Sequence, residues 1–262
     1  ILVVIAFSFA LNAQSQSIDP YSEVGLMLGT SYYIGDLNDQ HFRLAQPASS
    51  IQYKTNLNRR FALRGSLSLG EIRGSDKLND IDTAKFNRNL HFKSSIYELS
   101  GVVEFNFFPY ETGNKRYPFT PYIFSGFSLF NFNPQARKTD TQNPFDRDGD
   151  DSNNPWLDLQ PLGTEGQYST RYPEKDPYQL IQVAIPIGVG LKASLGDNLS
   201  IALEYGIRKV FTDYLDDVGG IYASPQYLAM ENIDAATLSD RSNALQEFLA
   251  ANPFGLIVVL YA

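Results

Sequence analysis

Apolar side chains occupy every second position over two long stretches of the chain. Ile181, Val183, Ile185, Ile187, Val189 and Leu191 alternate with Gln182, Ala184, Pro186, Gly188, Gly190 and Lys192. Leu199, Ile201, Leu203, Tyr205 and Ile207 alternate with Ser200, Ala202, Glu204, Gly206 and Arg208. A period of two sends successive side chains to opposite faces of a strand. Gly196-Asp197-Asn198 between the two stretches predicts a tight turn. The same alternation sets Phe61, Leu63, Leu67 and Leu69 against Ala62, Arg64, Ser66 and Ser68, and it runs through Tyr97–Phe107 with Gly101 and Val102 as exceptions. Weaker strands are predicted over Glu23–Tyr33, Ala48–Thr55, Phe119–Phe132 and Phe254–Ala262, which brings the total to eight.

The connections alternate in length. Asn56–Arg60, Pro109–Pro118 and Leu195–Asn198 are short, whereas Ile34–Pro47, Gly74–Ser94, Asn133–Tyr178 and Thr212–Pro253 are long. Short and long ends on opposite rims match an outer-membrane barrel with short periplasmic turns and long outer loops. Alternation alone leaves open a lipocalin-like barrel, apolar inside and polar in water. The polar face here is mostly Gly, Ala and Ser with a few charges, which suits a crowded lumen better than a solvent face. Tyr53, Phe61, Phe107, Phe108, Tyr110, Tyr117 and Phe119 flank the short turns, where a bilayer barrel carries its aromatic girdle. The expected fold is all-β, an eight-stranded antiparallel transmembrane β-barrel. Two irregularities belong to the long loops: 133–178 lacks periodicity, and Ile233–Ala250 is predicted to hold a short amphipathic helix with Asp234 at its start and Leu238, Leu245, Phe248 and Leu249 on one face.

Composition narrows the classes of function. Aromatic residues make up 13% of the chain, which favours strands. The net charge is −8 and the basic residues are scattered, so no stripe suits a phosphate backbone and nucleic acid is not an expected partner. With no Cys, disulfides, thiolate metal sites and a catalytic thiol are excluded. Ile1–Leu11 is an apolar run closed by Asn12-Ala13, too short for a transmembrane helix, and it reads as a signal peptide over residues 1–13 that is clipped at its start. Residues 14–262 are then expected to form a single outer-membrane barrel domain.

Charges at inward positions form the most informative constellation. Arg64, Lys192 and Arg208 balance Glu98, Glu104 and Glu204. An eight-stranded barrel is just wide enough for side chains, so these groups are expected to pair and close the lumen. Asp146, Asp148 and Asp150 are spaced around Gly149 in the manner of calcium-loop oxygen ligands, but the distal Glu of an EF-hand is missing and Arg147 intervenes, so a solvated acidic loop is the simpler reading. The only histidines, His41 and His91, fall in predicted loops, and no Gly-x-Ser-x-Gly segment accompanies them. Neither enzyme activity nor a cofactor is expected. At the short-turn rim, Arg59, Arg60, Lys115 and Arg116 place four cations that could meet an acidic partner or anionic headgroups of outer-membrane lipid.

Several segments recur together in one known family. They are Tyr33-Ile34-Gly35-Asp36-Leu37-Asn38, Ser95-Ile96-Tyr97-Glu98-Leu99, Glu104-Phe105-Asn106-Phe107-Phe108-Pro109-Tyr110, Pro121–Phe124, Pro161–Gly166, Leu203-Glu204-Tyr205-Gly206 and Phe211–Val218. In their order and spacing the chain resembles the PorG family over nearly its whole mature length. The resemblance implies an outer-membrane component of the type IX secretion system, tied to a periplasmic ring built from a lipoprotein and its soluble companion, with other translocon subunits as further candidate partners. It brings no catalytic residues. The alternative from the residues alone is a small outer-membrane channel or ligand-binding barrel.

Overall fold

A computed structural model describes residues 2–11, 20–78, 83–138, 145, 155–220, 223–239 and 241. Its core is an antiparallel sheet built from β1 (Leu2–Leu11), β2 (Tyr21–Ser31), β3 (Gln46–Asn56), β4 (Phe61–Ser75), β5 (His91–Asn106), β6 (Phe119–Ala136), a two-residue β7 (Leu157–Asp158), β8 (Ile181–Ser194) and β9 (Leu199–Val210). Neighbours in the sheet run β5-β4-β3-β2-β1-β9-β8-β6, with β7 added on the free part of β6. Because β5 also pairs with β6, from Lys93↔Gln135 down to Asn106↔Tyr122, the eight long strands close into a ring. Closure leaves no long free sheet edge, the device by which a barrel avoids edge-to-edge association. Among the described residues no helix is long and apolar enough to cross a membrane.

Seven of the eight predicted strands are present, and the facing predicted for β4, β5, β8 and β9 holds. Leu26, Ile51, Leu67, Leu99, Leu129, Val189 and Leu203 are exposed on the outside, whereas their sequence neighbours turn inward. On β4 the outward positions are apolar from Phe61 to Leu69 and then become Glu71 and Arg73. In register beside Leu69 stands Tyr97, followed upward by Ser95 and Lys93, and beside Tyr97 on β6 stands Asn131, followed by Asn133 and Gln135. The apolar belt therefore ends at one height on three successive strands. Its length along β4 matches the roughly 9–11 residues a strand needs to cross a hydrocarbon layer.

The eighth place in the ring is filled differently from expectation. Leu2–Leu11, read from sequence as part of a signal peptide, is β1, pairing with β2 from Leu2↔Ser31 to Leu11↔Ser22 and with β9 from Leu2↔Gly206 to Phe9↔Leu199. A run of apolar and β-branched residues satisfies the hydrogen-bonding edges of β2 and β9, and the same run has the composition of a leader's apolar segment, so composition alone does not part the two. The predicted strand Phe254–Ala262 lies outside the described residues.

The loop ends of the strands carry a small folded cap. Tyr33, Leu37, Ile72, Leu90 and Phe92 cluster there, with Ile96, Leu215 and Val218 packed against them. Phe132, Tyr178 and Tyr214 stack in sequence, with centroids 6.1 and 4.7 Å apart. Within the predicted helical segment, Ile233–Ser239 is helical as α4, after α1 (Thr83–Arg88), α2 (Leu159–Leu162) and α3 (Pro225–Glu231), and residues 240 and 242–250 lie outside the described residues. Asp234 is not its cap: the Asn232 Oδ1 accepts from the backbone N–H of Asp234 (3.0 Å) and Ala235 (3.3 Å). Leu238 is buried against Ala136 and Leu159; Leu245, Phe248 and Leu249 lie outside the described residues.

Candidate functional site: an ion-paired lumen between two closed ends

Inward positions of four strands bring all six predicted lumen charges into the barrel. Arg64 is the hub: its guanidinium meets Glu104 at 3.0 Å and also binds Glu204. Glu104 takes Lys192 at 2.8 Å on its other oxygen, and the Tyr122 hydroxyl donates to Glu204 at 2.5 Å. Six residues above Glu104 on the same face of β5, Glu98 accepts from Arg208 through Nε (3.1 Å) and Nη2 (3.0 Å). The inward charges thus form tiers along the axis rather than one cluster. Sequence reasoning missed the lowest tier, Lys54 paired with Glu23 at 2.7 Å, where Asn56 also donates to Glu23 at 2.9 Å. The signal was available, since Val24 and Leu26 face out and Tyr53 faces out, which turns Glu23 and Lys54 inward.

Counting Arg64, Lys192, Arg208 and Lys54 against Glu98, Glu104, Glu204 and Glu23, the lumen holds four cations and four anions. Its aromatic members fill the remaining space. The Arg64 guanidinium lies 4.7 Å from the Phe124 ring centroid and the Lys192 ammonium 4.5 Å from that of Tyr122. Opposite these rings β8 carries Gly188 and Gly190, where an added Cβ would approach Phe124 Cζ to 2.4 Å and Tyr122 Cζ to 2.5 Å. The small residues of the alternating pattern are the space into which the rings fit.

The 107–118 connection is not a simple turn at the rim but closes the barrel end. Tyr110, expected in the outer girdle, is buried instead, with Lys192 5.2 Å from its ring and the Thr112 hydroxyl donating to its oxygen at 3.2 Å. Thr112 Oγ1 lies 2.9 Å from Glu23 Oε1 and the Thr112 backbone N–H donates to the Tyr21 hydroxyl at 3.1 Å, tying the connection to β2 on the far side. Gly113 donates to Ser194 Oγ at 2.9 Å; its φ of +84° and the 2.3 Å from a hypothetical Cβ to the Asp197 carbonyl oxygen leave room only for glycine.

That end carries the predicted rim cations in less free form than expected. Arg59 pairs with Glu111 at 2.9 Å and lies 4.7 Å from the Tyr117 ring centroid, which Arg116 approaches to 5.6 Å from its own side. Arg60 donates to the Phe107 carbonyl at 2.7 Å, and Lys115 is exposed. With Glu111 beside them, the four cations form a patch of reduced charge around an aromatic ring.

A family model described as a domain of unknown function (DUF6089) matches residues 1–153. The chain belongs to the DUF6089 family. No match is found among the curated proteins or among the solved structures. The matched part of this DUF6089 member covers β1 to β6 and supplies Glu23, Lys54, Arg64, Glu98 and Glu104, so most of the lumen network lies within it.

At the opposite end, three segments far apart in sequence meet in the cap. The Tyr33 hydroxyl donates to Asp216 at 2.5 Å, Tyr178 donates to Asp217 at 2.5 Å, and Thr164 donates to the other oxygen of Asp217. Glu165 Oε1 accepts from the backbone N–H groups of Gly219 (3.1 Å) and Gly220 (2.9 Å). Burial pushes the Asp216 carboxyl up to about 6 and that of Asp217 up to about 7, against the pull of their hydroxyl donors. These contacts unite the Tyr33–Asn38, Pro161–Gly166 and Phe211–Val218 segments, which sequence had joined only through resemblance.

The two histidines differ: His41 is an exposed loop residue, whereas His91 is enclosed. His91 opens β5 and is buried, accepting from the Arg137 backbone N–H at 3.2 Å and lying edge-on to Trp156. His41 meets the Tyr32 hydroxyl at 3.1 Å, and neither ring has a serine nucleophile among its described hydrogen-bond partners. Among the described residues no group of three or more acidic or histidine side chains could hold a metal, and Asp146, Asp148 and Asp150 lie outside those residues.

Proposed function

We propose that the chain is a non-enzymatic barrel of the outer membrane, acting in the type IX protein secretion machinery as an anchor for a periplasmic ring. The observation that carries the membrane part is the inside-out distribution of side chains: Leu26, Leu67, Leu99 and Val189 are about half exposed or more, while Glu104 and Lys192 are almost fully enclosed. A water-soluble barrel would reverse this arrangement. The secretion part rests on the resemblance of the ordered segments to the PorG family, with the ring lipoprotein and its soluble companion as partners and other translocon subunits as further candidates.

The ring contact is assigned to the closed end, through Arg59, Arg60, Lys115 and Arg116 around Tyr117. If the loop end faces the cell exterior, this rim is what a periplasmic partner can reach among the described residues. Replacing all four cations by Ser should leave the barrel folded, because exposed charges contribute little to stability. Pull-down of the ring components in mild detergent, and cargo export in cells, should both fall. Parental levels of both would move the contact away from this rim. The competing channel reading predicts discrete conductance in a planar bilayer, whereas three tiers of paired charge and a covered end favour a barrel that stays shut.

A further inference from the structure

The lumen is filled unevenly. Below Glu98 it is packed with ion pairs and rings, but between Glu98 and the cap there is a cavity of about 360 Å³. Its walls include Ile72, Ile96, Phe130, Val210 and Leu215, and its floor is the Arg208–Glu98 pair. A volume of this size, with apolar walls and a few convergent polar groups, falls in the range of roughly 300–1,000 Å³ typical of small-molecule sites. Apolar walls offer water few partners, so such a space favours an apolar guest over solvent. Ile207, an outward residue of the apolar belt, also belongs to the lining, which connects the cavity with the barrel's hydrocarbon-facing side.

We infer that this cavity binds a single-chain lipid amphiphile with an uncharged head, its chain among Ile72, Ile96 and Phe130 and its head at Arg208. The floor decides the head. Arg208 gives two of its five N–H groups to Glu98 and has no other acceptor among the described residues, so donors remain for a hydroxyl or ester oxygen. The lumen's four cations are already matched by four anions, and a charged head would add an uncompensated ion to a desolvated space. A neutral acceptor completes the hydrogen bonding without that cost. This inference uses the membrane placement proposed above and is independent of the ring contact.

The test reconstitutes the full chain in bilayer nanodiscs containing monoolein and counts retained lipid by native mass spectrometry after release. One monoolein adduct per barrel is expected, lost in Ile96→Trp, where the indole occupies the cavity, and kept in Val103→Trp on the lipid face. Palmitate offered at neutral pH should be retained less than monoolein. Should Ile96→Trp fail to give the folded, heat-modifiable form, Val210→Trp on the opposite wall makes the same comparison. A barrel that never enters the nanodisc contradicts the membrane placement itself. A barrel that inserts but holds no adduct, or keeps it with either wall variant, overturns the site, and palmitate held as firmly as monoolein overturns the uncharged head.

Discussion

Arg64 shows how one side chain can organise a barrel interior. It is buried and meets two carboxylates, so truncating it leaves Glu204 with the Tyr122 hydroxyl and Glu104 with Lys192 alone. Breaking a buried pair costs about 3–5 kcal/mol, because the orphaned charge stays desolvated. Arg208 is about a quarter exposed and holds one carboxylate, whereas Arg64 is enclosed and holds two. Unfolding in denaturant, with the barrel in lipid, should therefore show Arg64→Ala losing more stability than Arg208→Ala; equal stability of Arg64→Ala and the parent would remove the network from the account. Which residues face inward was legible from alternation, but which pairs with which was not. Arg208 reaches Glu98 and Arg64 reaches Glu104 and Glu204, since pairing depends on strand stagger around the ring that no single strand reveals. Tyr110 misled for a related reason: a girdle position and a plug position look alike until the path of the 107–118 connection across the barrel end is known.

Among the elements, the cap and β1 each make a prediction. In the cap, Asp216 and Asp217 hold their protons to about pH 6 and 7 because they are buried, whereas in the unfolded chain an Asp titrates near 3.9. Between those limits the unfolded chain ionises first and binds fewer protons, so cap stability falls as pH rises from about 4 to 7 and levels off above. Hydrogen exchange of the 211–220 segment should accordingly be slower at pH 5 than at pH 8 after correction for intrinsic rates, and Asp216→Asn with Asp217→Asn should flatten the difference. An unchanged difference in the double variant would assign it to other groups. The cap was largely illegible in sequence, because its hydroxyl-to-carboxylate contacts join residues 39 to 183 positions apart and carry no local period. For β1, the place between β2 and β9 demands a strand antiparallel to both, and a segment following β9 after a long loop would run in that direction. Phe254–Ala262 was predicted as such a strand from sequence. A chain beginning at Gln14 is expected to fold to the heat-modifiable form in lipid, as the signal-peptide reading requires, and failure to do so would make Leu2–Leu11 a permanent part of the barrel.

For the whole molecule, the account stands on one distribution: hydrocarbon-seeking side chains outside, paired charges inside, both ends covered. Seven strands, and the facing of four of them, could be read from the chain because a period of two survives wherever one face must be apolar. The absence of Cys makes the distribution directly measurable, since single cysteines introduce spin labels without background. Labels at Leu67, Leu99 and Val189 report the outer face, and labels at Glu71 and Lys93 report the polar height above the belt. In reconstituted bilayers, collision with dissolved oxygen should exceed collision with a water-soluble nickel chelate at the first three sites, and the order should invert at the last two. Nickel accessibility at Leu67, Leu99 and Val189 equal to that at Glu71 would contradict a membrane-embedded barrel.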